Sequence, residues 1–155
     1  MPRGASKLIV VDASVWLDLF NVRDKARLKL AEDFFVEAEG LTIYEPMLFK
    51  VEIAGLLARR NPRHVVESLV EEIVGKIHLC RDLDREAYHV ALSTGSRAAD
   101  AYYIACARKT NSILVSNDRM QVRSARLYNV EAYYLLDEKE KVFQRLRKLK
   151  SMRQQ

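Results

Sequence analysis

Short, unbroken apolar runs alternate along this chain with longer stretches in which apolar residues recur every three or four positions. Lys7-Leu8-Ile9-Val10-Val11 is β-branched and continuous and stops at Asp12, the pattern of a short strand buried on both faces. Ser14 follows as a helix cap for Val15 to Phe20. From Asp24 to Glu39, apolar residues at Ala26, Leu30, Phe34 and Ala38 sit between charges, an amphipathic helix closed near Gly40. Leu41 to Tyr44 reads as a second strand, and Pro46 and Pro62 open helices running to Arg60 and Gly75, because proline suits a first helical turn.

The second half repeats the alternation. Ile77 to Cys80 is a third strand, Asp82 to Ser93 a helix, and Ala98 to Lys109 a helix rich in Ala and Tyr. Ser112 to Val115 is a fourth strand, Arg119 to Leu127 a short helix, and Asn129 to Leu135 a fifth strand. Asp137 to Arg153 closes as a helix with Val142, Leu146 and Leu149 on one stripe. Short strands alternating with helices predict an α/β fold, a parallel sheet covered by helices.

Composition narrows the class. The 155 residues, 49% hydrophobic and 30% charged, are expected to form one globular domain over 1–155, with the end helix packed on it or extending from it. No apolar run approaches the roughly 20 residues of a membrane span. The apolar run before Asp12, Leu8 to Val11, is only four residues, short of the roughly 7–15 of a signal peptide, so a cytoplasmic location is expected. Cys80 and Cys106 form no metal-ligand motif and read as buried reduced thiols, with a single disulfide as the alternative. His64, His78 and His89 show no ligand spacing. The net charge of +5 favours a polyanionic partner only weakly, since it is also an ordinary solubility charge. The basic run Arg145 to Lys150 fits either a grip on RNA phosphates or the solvated face of an end helix.

Four acids stand where the pattern predicts burial. Asp12 and Asp118 follow apolar strands, and in an open α/β sheet the ligand crevice lies beyond the strand carboxyl ends. Each is also a plausible helix cap. Glu52 shares a helix stripe with Leu48, Phe49 and Leu56, where a lone carboxylate is costly unless paired, protonated or bound to a cation. A salt bridge to an arginine would answer that equally. Asp100 sits in a first helical turn, where the macrodipole favours acid, and shares a face with Tyr103, Ile104 and Ala107. Together the four would repel one another unless cations are present, and no lysine or arginine is placed among them by the pattern. All-oxygen ligands suit Mg²⁺ or Mn²⁺.

Val11-Asp12-Ala13-Ser14, Glu52, Ala98-Ala99-Asp100-Ala101 and Ser116-Asn117-Asp118 resemble the signature of the PIN domain, in order and at spacings of 40, 48 and 18 residues. No single piece is specific; the ordered set is. Among PIN domains a small chain like this resembles the VapC-type toxins of toxin–antitoxin pairs. The resemblance implies a three-layer α/β/α fold with a five-stranded parallel sheet ordered 3-2-1-4-5. It implies a Mg²⁺- or Mn²⁺-dependent endoribonuclease in which Asp12, Asp100 and Asp118 hold the metal. Glu52 would complete the outer coordination or orient water, with Ser14 and Ser116 in support. It further implies an RNA substrate, a homodimer and a small antitoxin partner. Two rivals remain: a PIN nuclease that processes ribosomal or other RNA, and a non-catalytic RNA- or protein-binding PIN module.

Overall fold

The computed structural model describes residues 7–152. Arg153, placed at the end of the last expected helix, lies outside them, as does the stretch 1–6 on which the absence of a leader was judged. The elements are β1 (Leu8–Val11), α1 (Ala13–Asp18), α2 (Lys25–Glu37), β2 (Thr42–Pro46), α3 (Leu48–Ala58), α4 (Arg63–Val74) and β3 (His78–Cys80). There follow α5 (Asp84–Thr94), α6 (Ala98–Thr110), β4 (Ile113–Ser116), α7 (Arg119–Leu127), β5 (Ala132–Tyr134) and α8 (Lys139–Ser151). All strand pairs are parallel, in the order β3-β2-β1-β4-β5. The expected architecture and strand order are therefore the observed ones.

Why β1 and β4 take the centre follows from their side chains. Ile9, Val10, Val11, Leu114 and Val115 are completely buried, so both faces must be covered, and only the inner strands of a helix-covered sheet meet that demand. The chain moves outward from β1 to β3, returns past β1 to β4, and ends at β5. With right-handed crossovers this reversal puts the helices on two faces. Accordingly α1 packs on α2 and α3, and α3 on α4, whereas α5, α6 and α7 pack on one another. The small residues Ala101, Ala105 and Ala107 are buried in α6 and let it lie close over β1, β2 and β4. Its N-terminus consequently overhangs the carboxyl ends of β1 and β4.

Two boundaries differ from expectation for local reasons. Asp12, not Ser14, caps α1: its carboxylate accepts the Ser14 N–H at 3.2 Å, while the Ser14 hydroxyl accepts the Asn117 N–H at 3.0 Å. The second strand runs two residues past Tyr44, because Glu45 and Pro46 pair with Leu79 and Cys80 of β3. Helix α3 accordingly starts at Leu48 rather than at the proline. Cys80 and Cys106 are buried and free. The basic run of α8 serves packing: Val142, Phe143, Leu146 and Leu149 are buried, and Arg145 and Arg147 pair with Glu131 and Glu37. Among the described residues, no helix is long and apolar enough to cross a membrane.

Candidate active site

The reversal of strand order between β1 and β4 opens a crevice at their carboxyl ends, and Asp12 and Asp118 stand on its floor. Asp12 continues the β1–β4 ladder by donating its own N–H to Val115 O at 2.9 Å, which fixes its backbone. Its Oδ2 accepts the Ser14 N–H and the Ser116 hydroxyl, both at 3.2 Å. Asp118 Oδ1 accepts the N–H groups of Met120 at 2.9 Å and Gln121 at 3.4 Å, capping α7. Capping and a place in the crevice are thus not alternatives. Each aspartate spends one oxygen on its helix, and the second oxygen of Asp118 faces Arg97.

Ser116 ties the two aspartates together. Completely buried, it donates to Asp12 and accepts the Asp118 N–H at 2.9 Å. Its remaining lone pair meets Gln121, which is also completely buried. The Gln121 amide, turned with its nitrogen toward these acceptors as the network requires, donates to Ser116 Oγ at 3.0 Å and to Asp12 Oδ1 at 3.0 Å. Every polar atom of the Ser116 side chain is then satisfied.

Glu52 enters from α3. Its Oε1 accepts the Tyr103 phenol at 2.7 Å, so the carboxylate on the apolar stripe is answered by a neutral tyrosine rather than by an arginine. Asp100, half-buried in the first turn of α6, faces Asp118. Arg97, three residues earlier, reaches both: its Nε lies 3.5 Å from Asp100 Oδ2 and its Nη2 3.4 Å from Asp118 Oδ2. The pattern had placed no cation here. Its spacing of three from Asp100 at a helix start was the available signal.

The electrostatics record the crowding. Burial pushes the Asp12 carboxyl up to about 6 from 3.8; the Glu52 charge adds to the rise, and hydrogen bonds from Ser14 and Ser116 oppose it. Asp100 is raised first by burial and then by Asp118 and Asp12, with Arg97 pulling the other way. The four acids are thus linked in a chain: Ser116 joins Asp12 to Asp118, Arg97 joins Asp118 to Asp100, and the Glu52 charge is felt at Asp12. Among the described residues, no three acidic, histidine or cysteine side chains are drawn together into a ready-made ion site. The donor chemistry nevertheless suits a hard cation: carboxylate oxygens only, with the proton affinities of Asp12 and Asp100 raised by burial and by their neighbours.

A fifth acid escaped the sequence reading. Glu45 on β2 is completely buried, its Oε1 accepting the Val11 N–H at 2.8 Å and its Oε2 meeting no partner. Burial drives its carboxyl well above the usual range, with Asp12 and Glu52 adding to the rise. Its only signal was an acid between a short apolar strand and the proline expected to open the next helix.

The PIN domain family model matches residues 9–127 of this sequence. No curated protein sequence matches it. Several solved structures share the fold. PAE2754 from Pyrobaculum aerophilum is 18% identical with a TM-score of 0.59, over 91% of this chain and 98% of its own. VapBC-1 from nontypeable Haemophilus influenzae is 10% identical with a TM-score of 0.60, over 81% and 96%. A toxin–antitoxin complex from Klebsiella pneumoniae is 14% identical with a TM-score of 0.56, over 71% and 86%.

Proposed function

This chain belongs to the PIN domain family, and from that premise we propose that it is a metal-dependent endoribonuclease, the toxin of a toxin–antitoxin pair. The observation that supports the reading is the proximity of Asp12, Asp100 and Asp118, linked through Ser116 and Arg97 with Glu52 nearby, where burial first and then neighbouring carboxylates raise the proton affinities of Asp12 and Asp100. Mutually destabilising carboxylates in a cleft are an arrangement that ligand chemistry explains and packing does not.

Asp12, Asp100 and Asp118 hold Mg²⁺ or Mn²⁺ in this reading. The ion supplies a water of lowered pKa and positive charge beside the phosphorus as negative charge grows there. The chain's own residues set the stage. Ser116 and Gln121 hold the Asp12 carboxylate in one rotamer, and Ser116 carries that restraint to Asp118 through its backbone N–H. Tyr103 fixes Glu52, which would complete the outer coordination or orient the attacking water. The buried phenol, its pKa driven well above the usual range chiefly by burial, stays a hydrogen-bond donor throughout.

The toxin reading is supported by the shared fold with a structure described as a toxin–antitoxin complex, that from Klebsiella pneumoniae. A homodimer belongs to this reading and is observable by light scattering. The decisive test is incubation of single-stranded RNA with the purified chain in Mg²⁺ or in EDTA. Cleavage only with the ion, leaving 5′-phosphate and 3′-hydroxyl ends, is expected. Ion-independent cleavage leaving 2′,3′-cyclic phosphates would overturn the proposal.

A further inference from the structure

Among the described residues, Arg97 is the single cation in ion-pair range of the carboxylate crevice. It stands at the N-cap of α6 in extended conformation and makes no side-chain capping bond. Its side chain is 79% exposed, against 13% for Asp100 and 31% for Asp118, so it reaches in from the rim. Both contacts, at 3.5 and 3.4 Å, lie at the outer edge of hydrogen-bond range, so charge rather than directional bonding holds the guanidinium. The backbone beneath is firmer. Gly95 closes α5 at a φ of 68°, and the Thr94 hydroxyl bonds the Ser96 hydroxyl and accepts the Ser96 N–H. A change of position at Arg97 is therefore a side-chain event.

We propose that Arg97 is an exchangeable occupant of the site: it bridges Asp100 and Asp118 in the ion-free protein, yields both carboxylates to a divalent cation, and then holds a phosphate of the entering RNA strand. The inference rests on the nuclease reading above. A guanidinium and a hard dication compete for the same carboxylate oxygens, and once the dication is in place it repels the guanidinium. The crevice is otherwise acidic and resists a polyanion, so a cation freed at its mouth is what a phosphate can meet. Neighbouring Arg119 is not equivalent. It is paired with Asp137 at 2.9 Å and lies over the Tyr134 ring, and neither partner belongs to the crevice. Of the two, Arg97 alone has partners that a bound ion would take away.

Two measurements on the full chain test this, with Arg97→Met (charge removed, an unbranched apolar stem kept) and Arg97→Lys (charge kept). In calorimetry without RNA, Arg97→Met should bind Mn²⁺ about fivefold more tightly than wild type, the scale of one unit charge at contact distance near solvent. Arg97→Lys should stay near wild type. In Ca²⁺, with a fluorescent single-stranded RNA verified intact afterwards, Arg97→Met should bind more weakly. Its plot of log affinity against log salt should be shallower by about 0.7, one phosphate contact fewer. Unchanged or weaker Mn²⁺ binding in Arg97→Met, or an unchanged salt slope, overturns the exchange while leaving the nuclease reading standing. Wild-type protein that binds neither Mn²⁺ nor RNA overturns both.

Discussion

The phenol of Tyr103 donates to Glu52 Oε1 at 2.7 Å, joining α6 to α3 across 51 positions of sequence. The tyrosine ring is completely buried, so the hydroxyl is one of the few polar atoms reaching the crevice from beneath. The contact unites the two helices that flank the sheet's carboxyl edge, α6 bearing Asp100 and α3 bearing Glu52. It also explains how a carboxylate survives on an apolar stripe. A neutral donor orients it without cancelling the negative charge a metal site needs.

Removing that donor separates orientation from charge. Tyr103→Phe keeps the ring and leaves Glu52 without its partner, so a loss of about 1–3 kcal/mol in unfolding free energy is expected by urea denaturation. RNA cleavage should fall about tenfold through kcat with KM little changed. An equal loss in KM would place Glu52 in substrate binding instead.

Stability in the absence of divalent ions should decline as pH rises. Asp12 has a raised native pKa of about 6 against 3.8, so the folded state binds the extra proton between those values. The resulting stability is fully present below about pH 4 and lost as pH climbs through 6, by about 3 kcal/mol for this group alone. Glu45, also raised, extends the decline in the same direction. Melting temperatures in EDTA should therefore fall from pH 4 to 8, and Asp12→Asn and Glu45→Gln should each flatten the curve. A curve that rises over this range would mean the carboxyls are ionised and paired in a way the fold does not show.

Gln121 positions Asp12 rather than touching substrate. Gln121→Leu fills the same space but strips a donor from Asp12 and from Ser116. Mn²⁺ binding measured by calorimetry should weaken about tenfold, on the scale seen when groups that orient metal ligands are lost. Gln121→Glu should shift the pH dependence of Mn²⁺ binding by introducing another titrating group beside Asp12. Neither effect is expected of a residue that only fills the core.

The parts of this molecule that could be read from the chain are those set by local pattern. The strand ending at Val11, the cap chemistry at Asp118 and the apolar stripe that isolates Glu52 each announce themselves within a few residues. The strand order was not among them; it was implied only by the resemblance to the PIN domain. What escaped is what folding alone brings together. Gln121 looks like any helix polar residue until α7 docks it behind Asp12, 109 positions away in sequence. Glu45 became a buried acid because β2 runs two residues further than its apolar run, drawn on by pairing with β3. Arg97 lies just before the expected start of its helix, and only the approach of α6 to β4 sets it between two aspartates.

The central claim, that the four carboxylates form a metal-dependent RNA-cleaving site, is tested most directly with Asp12→Asn. The substitution preserves shape and removes one negative charge. Cleavage of single-stranded RNA in Mg²⁺ or Mn²⁺ should fall by at least ~10²-fold, the scale on which a transition-state charge partner is felt. Its melting temperature in EDTA at pH 7 should equal or exceed that of wild type, because a buried repelling charge is gone. An Asp12→Asn protein that folds and cleaves RNA as wild type does would contradict the account.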